Sequence, residues 1–548
     1  MQASEKRTYL ILIFLLAVFG LPALFTNIIE PDGALYASIS KNMVLHHDWL
    51  NLYSRGADWL DKPHLPFWLA TISFKIFGIS SFAYKLPSYL AGLMAARFVF
   101  QFAKNIYTEK LAYLSTVIFL SSLHVIVSTF DVRAEIYITA FAFGAIYFFE
   151  RAGRQEKISW ALILGSVFAA CAVMVKGIFV LITILGGFVI YWILTKQYKE
   201  FSKAKWYLAV LLIFIFITPE IYTLYTQFDM HPEVFAQGQK GVSGVKFFFW
   251  DSQFGRFFNT GPIRGKGDPS FFLHTTLWAF LPWSILWYIA VFNLLKKKER
   301  SNMTKESIIL WASATVTFLI FSLSKFQLPH YILLLFPQFS IMTALYIANK
   351  EESTLKTLVI LQSVIVVLVT IGLFMLTFYF GLNHAILINT LIISMLLFCF
   401  LIFKGISLRT LIGKSVTISL ILMVFLYFFF YPAVLKYESG MQAGIWLKQN
   451  YPNGKAAVFA DGDAFSFDFY APGEPKYFWT YEELNQYKAK EDLIIYVRES
   501  ELERLKKDYN AEVLQTFKYF HITKLTPTFI NVKTRSQVLE NIYLVKLH

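Results

Sequence analysis

Apolar residues occur along this chain in blocks of about 18–25 positions, broken by short polar stretches, which is the length a helix needs to cross a bilayer. Such blocks lie near residues 8–27, 83–104, 111–128, 132–150, 158–175, 177–195, 205–225, 271–294, 306–324, 329–348, 355–379, 383–404 and 411–432. The pattern predicts an all-α membrane protein of about thirteen transmembrane helices. The first block, Tyr9–Phe25, ends without a small-x-small cleavage site and reads as a retained span.

Basic residues order the blocks. With Lys6 and Arg7 in the cytoplasm, alternate breaks carry Lys104/Lys110, Arg151/Arg154/Lys157, Lys196–Lys205, Lys296–Lys305, Lys350/Lys356 and Lys404–Lys414. Most of the other breaks are poor in Lys and Arg, as the positive-inside rule requires. An odd number of spans then places the C-terminus outside the cytoplasmic membrane. The net charge of +14 is thereby read as topology and not as a nucleic-acid footprint.

Two outer breaks are long, 28–82 and 226–270. In Ala34–Leu45, Leu35, Ile39 and Met43 recur at helical spacing, as in a helix lying at the membrane surface. The apolar piece from Leu65 to Gly78 is too short to span. From about residue 434 the long apolar blocks stop. Ala456–Ala460, Leu493–Val497 and Ile542–Lys546 read as strands and Glu499–Tyr509 as a helix. The expected organisation is a transmembrane domain over 1–433 and a small extracytoplasmic α/β domain over 434–548.

Composition agrees: 56% of residues are hydrophobic and 16% charged, against about 25% charged in soluble domains. Cys171 and Cys399 both lie in apolar blocks and read as packing residues. No internal repeat is evident, which weakens the reading as an inverted-repeat transporter.

The chemistry-bearing residues gather on the outer side. The first long break holds Glu30-Pro31-Asp32-Gly33-Ala34-Leu35-Tyr36 and then Asp61-Lys62-Pro63-His64. Asp32 suits a helix N-cap, a position that also favours anions. Asp131, Arg133 and Glu135 crowd the start of the fourth span, where charge is costly. Lys176-Gly177 reads as a snorkelling lysine. The second long break supplies Arg256, Arg264 and Lys266, and His274 and His330 follow. Asp461-Gly462-Asp463 has the form of a metal-binding Asp-x-Asp element, but no glycine-rich phosphate loop accompanies it, so a tight turn is preferred.

In order, Asp32…Tyr36, Asp61-Lys62-Pro63-x-x-Pro66-x-Trp68, Phe82-Ala83-x-Lys85-Leu86-Pro87-Ser88, Asp131, Val175-Lys176-Gly177, Leu281-Pro282-Trp283-Ser284 and Lys325-x-x-Leu328-Pro329-His330-Tyr331 form a set that resembles the bacterial GT-C glycosyltransferases. The nearest types are aminoarabinose lipid A transferase and the protein mannosyltransferases. The resemblance implies a sugar moved, with inversion, from a polyprenyl-phosphate donor to a lipid A, glycan or protein acceptor on the outer face of the cytoplasmic membrane.

For that chemistry Asp32 is the first choice of base and Asp131 the second. Lys62 and Arg256 are the counter-charge for the phosphate, and Tyr36 and His330 are further substrate contacts. Asp61 and His274 are candidate ligands of a divalent cation, Zn, Mn or Mg. The chain departs from the family in two places: Asp61 stands where Glu is common, and Gly33 where an acid is frequent. The competing readings are a transporter or flippase of a lipid-linked substrate, or a membrane scaffold whose outer domain binds a partner.

Overall fold

The structure is a computed structural model. It describes every residue except 262–263, 295–303, 349, 462–463, 489–492 and 548. The basic stretch Lys296-Lys297-Lys298 and Asp463 therefore lie outside the described residues. The chain is mainly helical, and large side chains such as Trp283, Phe119, Phe143 and Phe149 are fully buried in its core.

Six helices among the described residues are long and apolar enough to cross a membrane, and a bent pair, Glu109–Leu120 with Leu123–Phe130, would make a seventh. This multi-pass arrangement agrees with the hydropathy pattern, although several expected spans are shorter or interrupted. The pair over the expected 111–128 is bent by 54°. The expected 271–294 is split into Phe271–Ala279 and Ser284–Leu294. Pro282 sits in that break, where it cannot donate a helical hydrogen bond.

The helices that position the outer side are α1 (Ala3–Gly20), α2 (Asp32–Leu45), α3 (Leu65–Phe77), α4 (Ser81–Ile106), α5 (Glu109–Leu120), α6 (Leu123–Phe130), α7 (Ala134–Gly153), α8 (Trp160–Lys176) and α9 (Val180–Leu194). Helix α4 starts where the Ser80 hydroxyl accepts from the Ala83 amide at 3.2 Å, an N-cap that fixes the chain's re-entry into the bundle. Helices α7 and α8 pack closely because glycines face aromatic rings. A Cβ at Gly165 would stand 2.6 Å from the Phe149 ring, and one at Gly144 would stand 2.7 Å from Phe168. Consecutive packed helices bring the start of α7, with Glu135, beside the end of α8, with Lys176.

The first long outer segment folds as α2, a short antiparallel pair β1 (Tyr53–Ser54) and β2 (Ala57–Asp58), and α3. A similar pair, β3 (Phe235–Ala236) and β4 (Gln239–Lys240), lies in the second. Near the C-terminus, β5 (Lys455–Phe459), β6 (Lys476–Phe478), β7 (Leu493–Arg498), β8 (Glu512–Tyr519) and β9 (Glu540–Leu547) form one sheet in the order β6-β5-β7-β9-β8. β5 runs parallel to β6 and β7, whereas β9 is antiparallel to both neighbours. The strands bury both faces. Val458, Ile494 and Tyr496 pack with Leu447 and Phe467 on one side. Phe459, Ile495 and Val497 pack with Leu502 and Leu505 on the other, the latter two from the helix Glu499–Tyr509.

Candidate active site

Two buried struts hold the first outer segment. The ammonium of Lys85 on α4 donates to the carbonyls of Ala23, Thr26 and Asn27 at 3.2, 2.8 and 3.1 Å, and to the Thr26 hydroxyl at 2.8 Å. It thereby satisfies carbonyls left open where the first span ends and the loop toward Asp32 begins. His64, just past Lys62-Pro63, is wholly buried against Glu220. Its amide donates to Glu220 Oε2 at 2.9 Å, and its Nδ1 lies 3.1 Å from Oε1. The Asp61-Lys62 turn is thus tied to the helix Thr218–Leu224.

A cavity of about 130 Å³ opens beside that turn. Its walls are largely apolar, from Phe179, Val180, Phe247, Phe248 and Phe321, but charged groups converge on it. Asp61 pairs with both Lys62 and Arg256. Burial opposes the charge on Asp61, yet Lys62 and Arg256 prevail and hold its carboxyl below the usual carboxylate range. Deeper in, Lys176 pairs with Glu135 and lies 3.6 Å from the centre of the Tyr331 ring. His330 Nε2 is 3.8 Å from Glu135 Oε1, so His330 joins the cluster through Glu135.

Lys62 also lines a second, smaller cleft, with Tyr36, Tyr84, Arg133 and Tyr137. Arg133 bridges the two candidate bases: one guanidinium nitrogen pairs with Asp32, and Nε donates to Asp131 Oδ2 at 2.8 Å. Asp32 keeps 38% of its side chain accessible and Asp131 only 18%. Asp131 Oδ1 is buried and has no hydrogen-bond partner among the described residues. Asp32 is therefore the more accessible of the two carboxylates, and Asp131 orients the guanidinium between them. A Cβ at Gly33 would stand 3.3 Å from Ile28 Cγ2 and 3.8 Å from Asp131 Oδ1. An acidic side chain there would be aimed at Asp131, so the single carboxylate suits this chain. Tyr36 packs edge-on against Trp59 and Phe67 at the same cleft.

Of the residues singled out in the sequence, the structure gathers Asp32, Tyr36, Asp61, Lys62, Asp131, Arg256 and His330 around these adjoining spaces. His274 is not among them. It is 55% exposed, and its Nε2 faces Asp268 at 3.9 Å. Asp61 lines the cavity and His274 does not, and among the described residues no three His, Cys, Asp or Glu side chains cluster as ligands would. Asp461 pairs with Arg498 at 3.1 Å, a structural contact within the sheet unit.

The C-terminal unit meets the first outer segment through buried polar groups. Asp468 is buried between Arg55, 3.6 Å away, and the hydroxyl of Tyr477, which donates at 2.5 Å. Burial pushes its carboxyl up to about 7 despite Arg55, Tyr477 and Lys41, and Glu30 adds to the rise. An acid whose folded pKa lies above the unfolded value of about 3.9 holds its proton more tightly when folded. Its contribution to stability is complete below about pH 4 and is lost as pH rises through about 7. Limited proteolysis of the C-terminal unit is expected to speed up as pH rises from about 4 to 7 and to level off above that, and Asp468→Asn to flatten that rise.

Comparison with known proteins bears on this geometry. The family described as dolichyl-phosphate-mannose-protein mannosyltransferase matches residues 61–222, which include Lys62, Asp131, Glu135 and Lys176. An uncharacterized protein of Aquifex aeolicus is 27% identical over 377 residues, 67% of this chain and 69% of that protein. The undecaprenyl phosphate-alpha-4-amino-4-deoxy-L-arabinose arabinosyl transferase of Wigglesworthia glossinidia brevipalpis is 25% identical over 366 residues, 66% of this chain and 62% of that enzyme. The match thus spans less than two thirds of that relative's length. Among solved structures, ArnT from Cupriavidus metallidurans bound to undecaprenyl phosphate superposes with a TM-score of 0.76 at 14% identity, covering 100% of this chain and 98% of that one.

The chain resembles a GT-C glycosyltransferase of the aminoarabinose transferase and protein mannosyltransferase kind.

This GT-C-like fold makes pairings that the sequence does not spell out. Lys176 does not snorkel: it lines the cavity and its ammonium pairs with Glu135. The two positions are compatible in sequence, since a lysine at one span's outer end can pair with a glutamate at the outer start of the span before it. Arg133 lay between two acids in sequence and proves to lie between two in space. Glu220 gave no signal, because its partner His64 is 156 residues away.

Proposed function

We propose that this chain is an integral-membrane glycosyltransferase that takes a sugar from a polyprenyl-phosphate donor and passes it to a lipid A, glycan or protein hydroxyl outside the cytoplasmic membrane. The observation that carries the reading is a largely apolar cavity lined also by Lys62, Arg256 and Lys176, adjoining through Lys62 a cleft whose Arg133 pairs with an accessible carboxylate, Asp32. A largely apolar cavity lined also by cations suits a donor that is a lipid at one end and a phosphate at the other.

In this scheme the acceptor oxygen attacks the anomeric carbon as Asp32 takes its proton. The bond from that carbon to the phosphate oxygen breaks, and polyprenyl phosphate leaves with the electron pair. Attack from the side opposite the phosphate inverts the centre. The phosphate gains one negative charge, and its second pKa of about 6 makes it a weak base that leaves without a general acid. Lys62, as a point charge, and Arg256, as a fork, oppose the charge that develops. Glu135, Lys176 and His330 offer hydrogen-bonding groups to sugar hydroxyls deeper in the cavity.

The reading includes about thirteen spans over 1–433, a cytoplasmic N-terminus and an extracytoplasmic α/β unit over 434–548 that covers the site or helps select the acceptor. Basic residues on alternate breaks support this topology. Mass spectrometry of lipid A, envelope glycans and secreted proteins from cells with and without the chain tests the function. One class is expected to lose a sugar-sized mass. Unchanged spectra together with altered movement of a lipid-linked precursor would favour a flippase instead.

A further inference from the structure

One short stretch of the C-terminal unit, residues 464–474, runs against the helix that starts at Asp32 and holds it at three levels. At the first, the carboxylate of Glu30, two residues before Asp32, accepts from the amide and hydroxyl of Ser466 at 2.5 and 2.6 Å. The Ile28 amide donates to the Tyr470 hydroxyl at 2.8 Å on the same side. At the second, the ammonium of Lys41, 3% exposed, donates to the carbonyls of Asp468, Phe469 and Ala471 at 2.7, 3.1 and 2.8 Å. These carbonyls end the helix Phe465–Tyr470, and a cation there satisfies groups the helix cannot. At the third, Glu474 accepts from Asn42 at 3.2 Å and meets His46 at 2.6 Å.

We propose that this stretch is a clamp that sets the position of Asp32, with Glu30 and Lys41 as its positioning residues. The inference rests on the reading of Asp32 as the base. Each of these polar contacts is made to α2 or to the residues leading into it; the stretch also touches Ser81 on α4, Phe74 on α3 and Arg55, and among the described residues none of its hydrogen bonds or ion pairs reaches the Asp61-Lys62 turn. Glu30 lies on the same backbone as Asp32 and is nearly enclosed, at 6% exposure. Its carboxyl accepts from Ser466 and shares a hydrogen bond with the buried Glu438, and an uncharged amide, with an oxygen to accept and N–H groups to donate, can fill both places. Lys41 is nailed to three carbonyls, so removing its charge leaves all three buried and open.

A base moved by about 1 Å costs up to about a hundredfold in rate while substrate is still held elsewhere. The test is therefore steady-state transfer by the full-length protein in membranes, using Glu30→Ala, Glu30→Gln, Lys41→Met and Lys41→Arg, with Asp32→Asn alongside. Glu30→Ala and Lys41→Met are expected to lower kcat at least about tenfold with donor KM unchanged. Glu30→Gln and Lys41→Arg should recover most of it. Either truncation placed on Asp32→Asn should cost nothing more. An inactive Asp32→Asn together with wild-type kcat in both truncations overturns the clamp. So does a loss that falls equally on donor KM. Full activity of Asp32→Asn would instead refute the base on which the clamp acts.

Discussion

Replacing Asp32 by Asn is expected to cut transfer by about 10²–10⁴-fold, the usual contribution of a positioned base. The amide keeps the size of the side chain and can still meet Arg133, but it cannot take a proton at neutral pH. The side chain is 38% accessible, so the change should leave membrane content and donor binding intact. Asp131→Asn makes the useful contrast. Asp131 is more enclosed, and its bond to Arg133 Nε at 2.8 Å orients the guanidinium. Its loss should lower the rate less, through misplacement of Arg133. Sugar transferred to the acceptor, followed by mass spectrometry in membranes matched for protein, distinguishes the two. Undiminished transfer by Asp32→Asn would remove the assignment.

How much of this was legible beforehand depends on the range of each interaction. Local periodicity located α3 and the helix Glu499–Tyr509, because burial on one face or a short apolar run is written in neighbouring residues. Charge placement singled out Asp32, Asp61, Lys62, Asp131 and Arg256, since ionisable groups at a membrane surface are few and costly. The pairings between them were not legible. Asp61 meets Arg256 across 195 residues and Glu30 meets Ser466 across 436. No spacing rule reaches that far. The span count was the weakest guide to architecture, because Leu281-Pro282 and the bend after Leu120 turn single apolar blocks into pairs of short helices. His274 misled for a related reason. A histidine at a helix start is as readily a surface residue, and here it faces Asp268 and solvent.

Arg256→Ala is expected to have the other large effect, and its interpretation turns on Asp61. Arg256 is 14% exposed and Asp61 24%, and they pair within the cavity. Removing one member of an enclosed pair costs up to a few kcal/mol, because the remaining charge is left without its partner. Part of any lost activity would then be lost structure. The double variant Arg256→Ala/Asp61→Asn separates the two, since it removes the stranded carboxylate as well. If Arg256 serves only to neutralise Asp61, the double variant regains both stability and rate. If it also opposes the charge that grows on the departing phosphate, stability returns while the rate stays about 10²–10³-fold down, the size of loss seen when one donor to a developing anion is removed. The second outcome is expected. Lys62 remains, but a point charge cannot supply the paired N–H groups with which a guanidinium grips a phosphate. Thermal stability in detergent, measured beside initial transfer rates, reads both quantities on the same preparations. Recovery of full rate in the double variant would take Arg256 out of the reaction and leave Lys62 and Lys176 as the cations that face the donor.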